Sequence, residues 1–259
     1  MRDRFDDVKI FVPSSVVIGT DVFDQFLDDN RLRSYALSAT DDTELTRRFL
    51  EAKKFPDEIL TDLAAFLALV NEPLAVRSSS LLEDSQYHPF AGVYETYMIP
   101  NNDLDPRSRL KELVKTVKRV YASTFYRSAK DYIRVTSYRL EEEKMAVIIQ
   151  KMVGVPHNNK FYPDFSGVGK SYNFYPLQPQ TPQDGIASVA LGLGKIIADG
   201  GNVLRFCPKH PLQLQQLSSI KDTVRNNQNE FYALVLNEHE DAIVVTHDML
   251  VKKFDLHIA

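Results

Sequence analysis

Leu74-Ala75-Val76-Arg77-Ser78-Ser79-Ser80, followed after a further polar run by Pro89-Phe90-Ala91-Gly92-Val93-Tyr94-Glu95-Thr96, decides how this chain is read. Leu74, Ala75 and Val76 form the short apolar run of a buried strand, and Tyr94 to Ile99 reads as a second strand. Between them, from Arg77 to Gly92, the sequence predicts a polar loop. A guanidinium directly after a strand, beside three hydroxyls and exposed backbone N–H groups, suits phosphate oxygens. A salt-bridged arginine at a strand end accounts for the same residues equally well. Ala91-Gly92 makes a small-residue turn feeding the second strand, and the main-chain N–H groups of such a flap can close over a triphosphate. A plain hairpin turn is the ordinary alternative.

Outward from that stretch the periodicity alternates between strand and helix. Lys9 to Ile18 reads as buried strand, and a helix follows with Thr20 as its cap and Val22, Phe23, Phe26 and Leu27 on one face. Asp42 to Lys54 and Pro56 to Val70 read as two helices. The second carries Ile59, Leu60, Leu63, Phe66, Leu67 and Val70 as a core stripe. After Asp105-Pro106 a longer helix places Leu110, Leu113, Val114, Val117 and Val120 inward, with Lys111, Lys115, Lys118 and Arg119 on the remaining surface. Glu141 to Glu143 reads as a solvated run before a strong buried strand from Met145 to Met152, and Phe165 to Phe174 and Ala242 to Thr246 read as further strands. Mixed elements of this kind predict an α+β or α/β protein of two lobes, 1–150 and 151–259, with the boundary near Gln150.

Composition narrows the function. The chain has 259 residues, 31 Lys plus Arg against 35 Asp plus Glu, and a formal net charge of −4, so its bulk charge gives no reason to bind nucleic acid or an anionic membrane. No window approaches the roughly 18 apolar residues of a membrane span, and the residues after Met1 are charged, so a cytoplasmic protein is expected. Cys207 is the single cysteine, and the six histidines are scattered, which argues against a disulfide framework or a zinc-type site. Gly167-Val168-Gly169-Lys170-Ser171 fails as a phosphate loop, because Asp164 stands where the first glycine belongs and strand-like residues follow. Gly192-Leu193-Gly194 with Gly200-Gly201 fails as a dinucleotide fingerprint, since Ile197 replaces the third glycine; a pair of tight turns is the simpler reading.

In order, Leu74 to Ser85, Pro89 to Tyr97, Val120-Tyr-Ala-Ser-Thr-Phe125, Met145-Ala-Val-Ile-Ile-Gln-Lys-Met-Val153, Ser166-Gly-Val168 and Gly192-Leu-Gly194 with Asp199-Gly200 resemble one family. It is the N-terminal nucleotide-binding domain of phosphoenolpyruvate synthase and pyruvate phosphate dikinase, of ATP-grasp fold. The resemblance runs from about Val12 to Pro211 and implies the following roles. Arg77, with Ser78 beside it, belongs to the ATP site and neutralises phosphates, and Ala91-Gly92 with Thr96 forms the flap over them. Gln150 to Val153 links the lobes, with Lys151, Met152 and Val153 giving backbone contacts to adenine. Gly192 and Gly194 form a turn at the rear of the nucleotide cleft. In the intact enzyme Mg2+ bridges the ATP phosphates, and a carrier histidine on another domain accepts the phosphoryl group before pyruvate.

The departures are equally specific. The family's Gly-Gly-Lys turn, its acidic metal-binding strand and its Leu-Gln-x-Arg segment are not found in the chain. Lys195 stands where many relatives have Glu, Arg127 and Arg134 are both candidates for a further family arginine, and no histidine has the carrier context. No residue is therefore assigned as catalytic or as a metal ligand. A piece of a longer enzyme is expected, binding ATP weakly and without turnover by itself. The rival readings are a non-catalytic nucleotide-sensing or interaction module, and a dikinase acting on a glucan or rifamycin.

Overall fold

A computed structural model of the chain describes residues 8–80, 82–83, 93–136, 138–217, 219–236 and 251–255. They form two compact units, Met1–Met152 and Val153–Ala259.

The first unit is built on one antiparallel sheet of β1 (Ser15–Ile18), β2 (Leu74–Ser80), β3 (Thr96–Ile99) and β4 (Met145–Lys151), in the order β1-β4-β2-β3. β2 runs four residues beyond Val76, where the apolar run ends. Arg77 to Ser80 belong to the strand because β4 pairs with them from Ile148 to Met145, a ladder that overrides the poor strand preference of serine. β1, in contrast, occupies only the end of the predicted Lys9 to Ile18 run. Its pairing with β4 begins at Ser15, just past Pro13, which has no N–H for a ladder.

Six α-helices among the described residues of this unit pack with one face of the sheet: α1 (Thr20–Asp29), α2 (Arg33–Ser38), α3 (Asp42–Glu51), α4 (Asp57–Leu69), α5 (Pro106–Ser123) and α6 (Arg127–Ile133). Asp41 caps α3 by accepting from the N–H groups of Thr43 and Glu44, and Asp105 caps α5 ahead of a proline at its first turn. The cap of α1 is Gly19; Thr20 is already helical and gives no side-chain cap. The predicted stripes close the core: Phe23, Phe26 and Leu27 of α1, Leu63 and Leu67 of α4, and Leu113, Val117 and Val120 of α5 are buried against Leu74, Val76, Val147 and Ile149 of the sheet. Rings of Phe23, Phe26, Phe49 and Tyr121 pack within 5.0–5.9 Å of one another at its centre.

Three cations from α5 and α6 finish the helices that precede them. Arg109, 8% exposed, donates to the carbonyls of Leu67 and Val70 at the end of α4. Lys118 donates to Ala52 O after α3 at 2.7 Å, and Lys130 to Ala36 O and Ala39 O at the end of α2. Helix C-termini expose unpaired carbonyls and partial negative charge, so buried cations are at home there. Burial holds both lysines below their ordinary pKa. Lys118 is therefore half-buried and engaged rather than free on the surface.

Glu143 departs from the solvated run predicted for Glu141 to Glu143. It is 6% exposed and accepts a hydrogen bond from Tyr94 at 3.0 Å. The charge run misleads because the chain turns the Glu143 side chain inward two residues before β4 begins.

The second unit contains β5 (Val155–His157), β6 (Lys160–Tyr162), β7 (Phe165–Lys170), β8 (Ile186–Leu191), β9 (Leu204–Phe206), β10 (Glu230–Val235) and β11 (Val251–Asp255), with α7 (Lys195–Ala198) and α8 (Ile220–Asn226). The strands form two antiparallel sheets, β11-β10-β6-β5 and β7-β8-β9. β7 ends at Lys170 rather than Phe174, since Asn173 turns away to donate from its backbone to Pro182 O at 2.7 Å. The strand predicted at Ala242 to Thr246 lies outside the described residues. No helix among the described residues is long and apolar enough to cross a membrane.

Candidate functional site

Side chains alternate across a strand, so the first sheet has two faces. Leu74 and Val76 of β2, Tyr97 and Ile99 of β3 and Val147 and Ile149 of β4 point to the helices and are buried. The opposite parity gives Ala75, Arg77 and Ser79; Thr96 and Met98; Ala146, Ile148 and Gln150; and Ser15 and Val17. None of these belongs to the buried core.

Register then fixes which of them meet. Thr96, Arg77, Ile148 and Val17 form one row across all four strands, and Met98, Ala75, Gln150 and Ser15 form the next. Arg77 and Thr96 are both exposed and directly opposite, which puts their Cβ atoms roughly 5 Å apart. Gln150 is diagonal to Arg77, about 7–8 Å away by the same geometry. Arg77 makes no ion pair among the described residues, so the salt-bridged alternative has no partner there. A guanidinium, a hydroxyl and a carboxamide thus share one face of the sheet, outside the buried core of the described residues.

The other predicted residues fall elsewhere. Ser78 has the opposite parity, and its Oγ donates to Glu83 Oε1 at 2.9 Å. Strand parity is the reason: once Arg77 lies inside a strand, its neighbours cannot share its face. Ala91 and Gly92 lie outside the described residues. Lys151 extends β4 by donating its backbone N–H to Ser14 O at 2.9 Å, while its ammonium pairs with Glu72 and holds that carboxyl below its usual pKa. Met152 is buried and donates to Pro73 O at 2.8 Å. Pro73 has no N–H to return, so the Met152 carbonyl receives nothing from that strand. Val153 begins the second unit, where it lines a shallow pocket of about 280 Å3 with Gly154, Val155, Pro163, Asp164 and Phe165.

Gly192 has a packing reason of its own in the second unit. Gly192 has φ 80°, and a Cβ there would stand 2.8 Å from Tyr232 O, where β10 passes. Ser166 Oγ donates to Gly192 O at 2.7 Å, and Leu193 donates to Tyr232 O at 2.9 Å, so the turn is tied to two strands. Gly194 caps the short α7. Arg127 and Arg134, the two arginine candidates, lie at the two ends of α6 and both face Asp131, at 3.7 and 2.8 Å.

Sequence reasoning missed the polar cluster beneath the sheet. Burial pushes the Glu143 carboxyl above its ordinary value, while its hydrogen bonds from Ser80 and Tyr94 oppose that shift. Only the register of Ser80 opposite Met145 brings these groups together, and no spacing in the sequence signals it. Among the described residues no group of three or more His, Cys, Asp or Glu side chains is arranged to hold a metal ion.

Antiparallel sheets with helices packed on them make the first unit an α+β structure. The chain belongs to the pyruvate phosphate dikinase AMP/ATP-binding domain family, whose model matches residues 1–256. It is similar to an uncharacterized phosphotransferase, YvkC, of Bacillus subtilis, 27% identical over 73% of this chain and 20% of that protein. It is also similar to the rifampicin phosphotransferase of Streptomyces sviceus, 27% identical over 74% of the chain and 22% of that protein. A shorter match is to the prodigiosin synthesizing transferase PigC of Serratia marcescens, 38% identical over 31% of the chain. The chain spans about a fifth of the length of the first two.

Proposed function

We propose that this chain is the ATP-binding part of a longer, ATP-grasp phosphotransferase, and that ATP lies on the Arg77 face of the β1-β4-β2-β3 sheet. Arg77 neutralises phosphate oxygens, Thr96 donates to them from the adjoining strand, and Gln150 with the Met152 carbonyl serves the base. The observation that carries the reading is the pairing of exposed Arg77 with Thr96 on a face outside the core, in a chain of the AMP/ATP-binding family. A fixed guanidinium acts here by positioning and by charge neutralisation; it exchanges no proton, because arginine stays charged. The Met152 carbonyl, opposite a proline, is an acceptor of the kind an adenine amino group needs.

The described residues of this face do not fit a magnesium ion. They offer hydroxyls, a carboxamide and a guanidinium but no carboxylate, whereas Mg2+ is bound through one or two carboxylates together with phosphate oxygens. The face binds nucleotide by the groups it has, and no metal step is assigned to it.

In the longer protein the phosphoryl group goes to a histidine of another domain and then to pyruvate. A second reading keeps the ATP site and replaces pyruvate by rifampicin; the relatives named rifampicin phosphotransferase favour it. Titration calorimetry with ATP on this chain and on the longer protein tests the site. Arg77→Ala is expected to weaken binding roughly 10- to 100-fold, with the far-UV circular dichroism unchanged. Unaltered affinity of Arg77→Ala would remove Arg77 from the phosphates. Incubating the longer protein with ATP and either pyruvate or rifampicin separates the two acceptors.

A further inference from the structure

On the helical side of the first unit, α3, α4 and α5 enclose an open groove of about 350 Å3. Its floor is apolar: Leu50 of α3, Leu60 of α4, and Leu110 and Val114 of α5, all half-buried and so recessed below the rim. Its α5 flank is cationic, with Arg107, Lys111, Lys115 and Lys118 at successive turns of the helix. No acidic residue lines it among the described residues. Lys118 is committed to Ala52 O, and Glu112 approaches Lys115 loosely at 3.8 Å. Arg107 and Lys111 are exposed and make no ion pair among the described residues. Glu112 beside Lys115 and Asp105 near Arg107 offset this row only in part, so on a chain of net charge −4 it remains a local positive field.

We infer that this groove docks an acidic amphipathic helix of a partner protein. The cations repeat once per turn, about 5–6 Å apart over roughly 16 Å. A helix laid along α5 presents carboxylates at the same interval when they stand at i, i+4 and i+8, with its apolar stripe entering the floor. The geometry disfavours a lipid surface, because membrane-binding helices project their apolar side chains beyond the charges, and here those side chains are recessed. The site is independent of the ATP reading. α5 packs on the sheet face opposite to that of Arg77, through Leu113, Val117 and Val120.

The test is fluorescence anisotropy with a labelled, lactam-stapled peptide of about three turns, leucines on one stripe and glutamates on the adjoining stripe. Binding that falls with added salt, and that Lys111→Glu with Lys115→Glu weakens roughly tenfold or more, is the expected result. The same peptide with lysines for glutamates should then bind the doubly substituted chain better than the unaltered one. That exchange of preference cannot arise from misfolding. Equal binding of a scrambled peptide, absence of binding, or adsorption to phosphatidylserine vesicles in place of peptide binding would overturn the inference. Because Arg77→Ala leaves this face untouched, failure here and failure of the ATP site are read separately.

Discussion

Arg109→Met tests whether buried cations complete the helices of the first unit. The Arg109 guanidinium reaches Leu67 O at 3.0 Å, Val70 O at 3.3 Å and Asn71 Oδ1 at 2.7 Å. The Leu67 carbonyl has no helical donor, since the Asn71 N–H turns to Glu72 instead. Methionine keeps the apolar stem and removes all three bonds. Hydrogen bonds to charged groups contribute about 1.5–3 kcal/mol each, offset in part by the cost of burying a guanidinium. The net loss should be about 2–4 kcal/mol, because Asn101 still donates to Val70 O at 3.0 Å. For a unit of this size that is roughly 5–15 °C in melting temperature. Arg109→Lys should fall between, since one ammonium cannot span a forked set of acceptors. The chain has no tryptophan, so urea unfolding followed by far-UV circular dichroism is the assay. A change under about 0.5 kcal/mol at constant m-value would show that water satisfies the end of α4 as well as arginine does.

Further substitutions probe other parts of the structure. Gly192→Ala forces an alanine to φ 80° and its methyl toward Tyr232 O, which should cost about 2–4 kcal/mol; an unchanged urea midpoint would contradict that packing. Tyr121→Phe removes a buried hydroxyl with no partner among the described residues, so stability should hold or rise by up to about 1 kcal/mol; a clear loss would reveal a hidden hydrogen bond. Glu143 has a raised pKa in the folded chain, so folding holds its proton, and the stability this gives is lost as pH rises from 4.5 through the folded value. The stability difference between Glu143→Gln and the unaltered chain should therefore grow in favour of glutamine across that window. A flat difference would place Glu143 in water.

The elements legible in the sequence were those with long periodic stripes. The stripes of α4 and α5 run over three turns or more, so a few buried positions identify the helix whatever its surroundings. α2 and α6, of six and seven residues, carry too little period to be read from sequence. Arg77 stood out by chemistry, yet its usefulness depends on strand parity. Arg77 joins Thr96 and Gln150, and Ser78 is sent to the other face, because β4 pairs as far as Met145 opposite Ser80. That is long-range information, contributed by residues some seventy positions downstream. Glu143 is hidden for the same reason: a glutamate run looks solvated until the chain beyond it determines where the run is buried.

The strand order β1-β4-β2-β3 also constrains how this unit is made. β1 leaves the ribosome first, yet β4, its sheet neighbour, ends at Lys151. Throughout synthesis of the intervening chain, Ser15 to Ile18 and the near edge of β2 expose unpaired backbone. A nascent chain of this protein therefore presents two strand edges awaiting the same insertion. Whatever delays the arrival of Met145 to Lys151, a slow codon run or a chaperone, prolongs the interval in which those edges pair with the wrong chain.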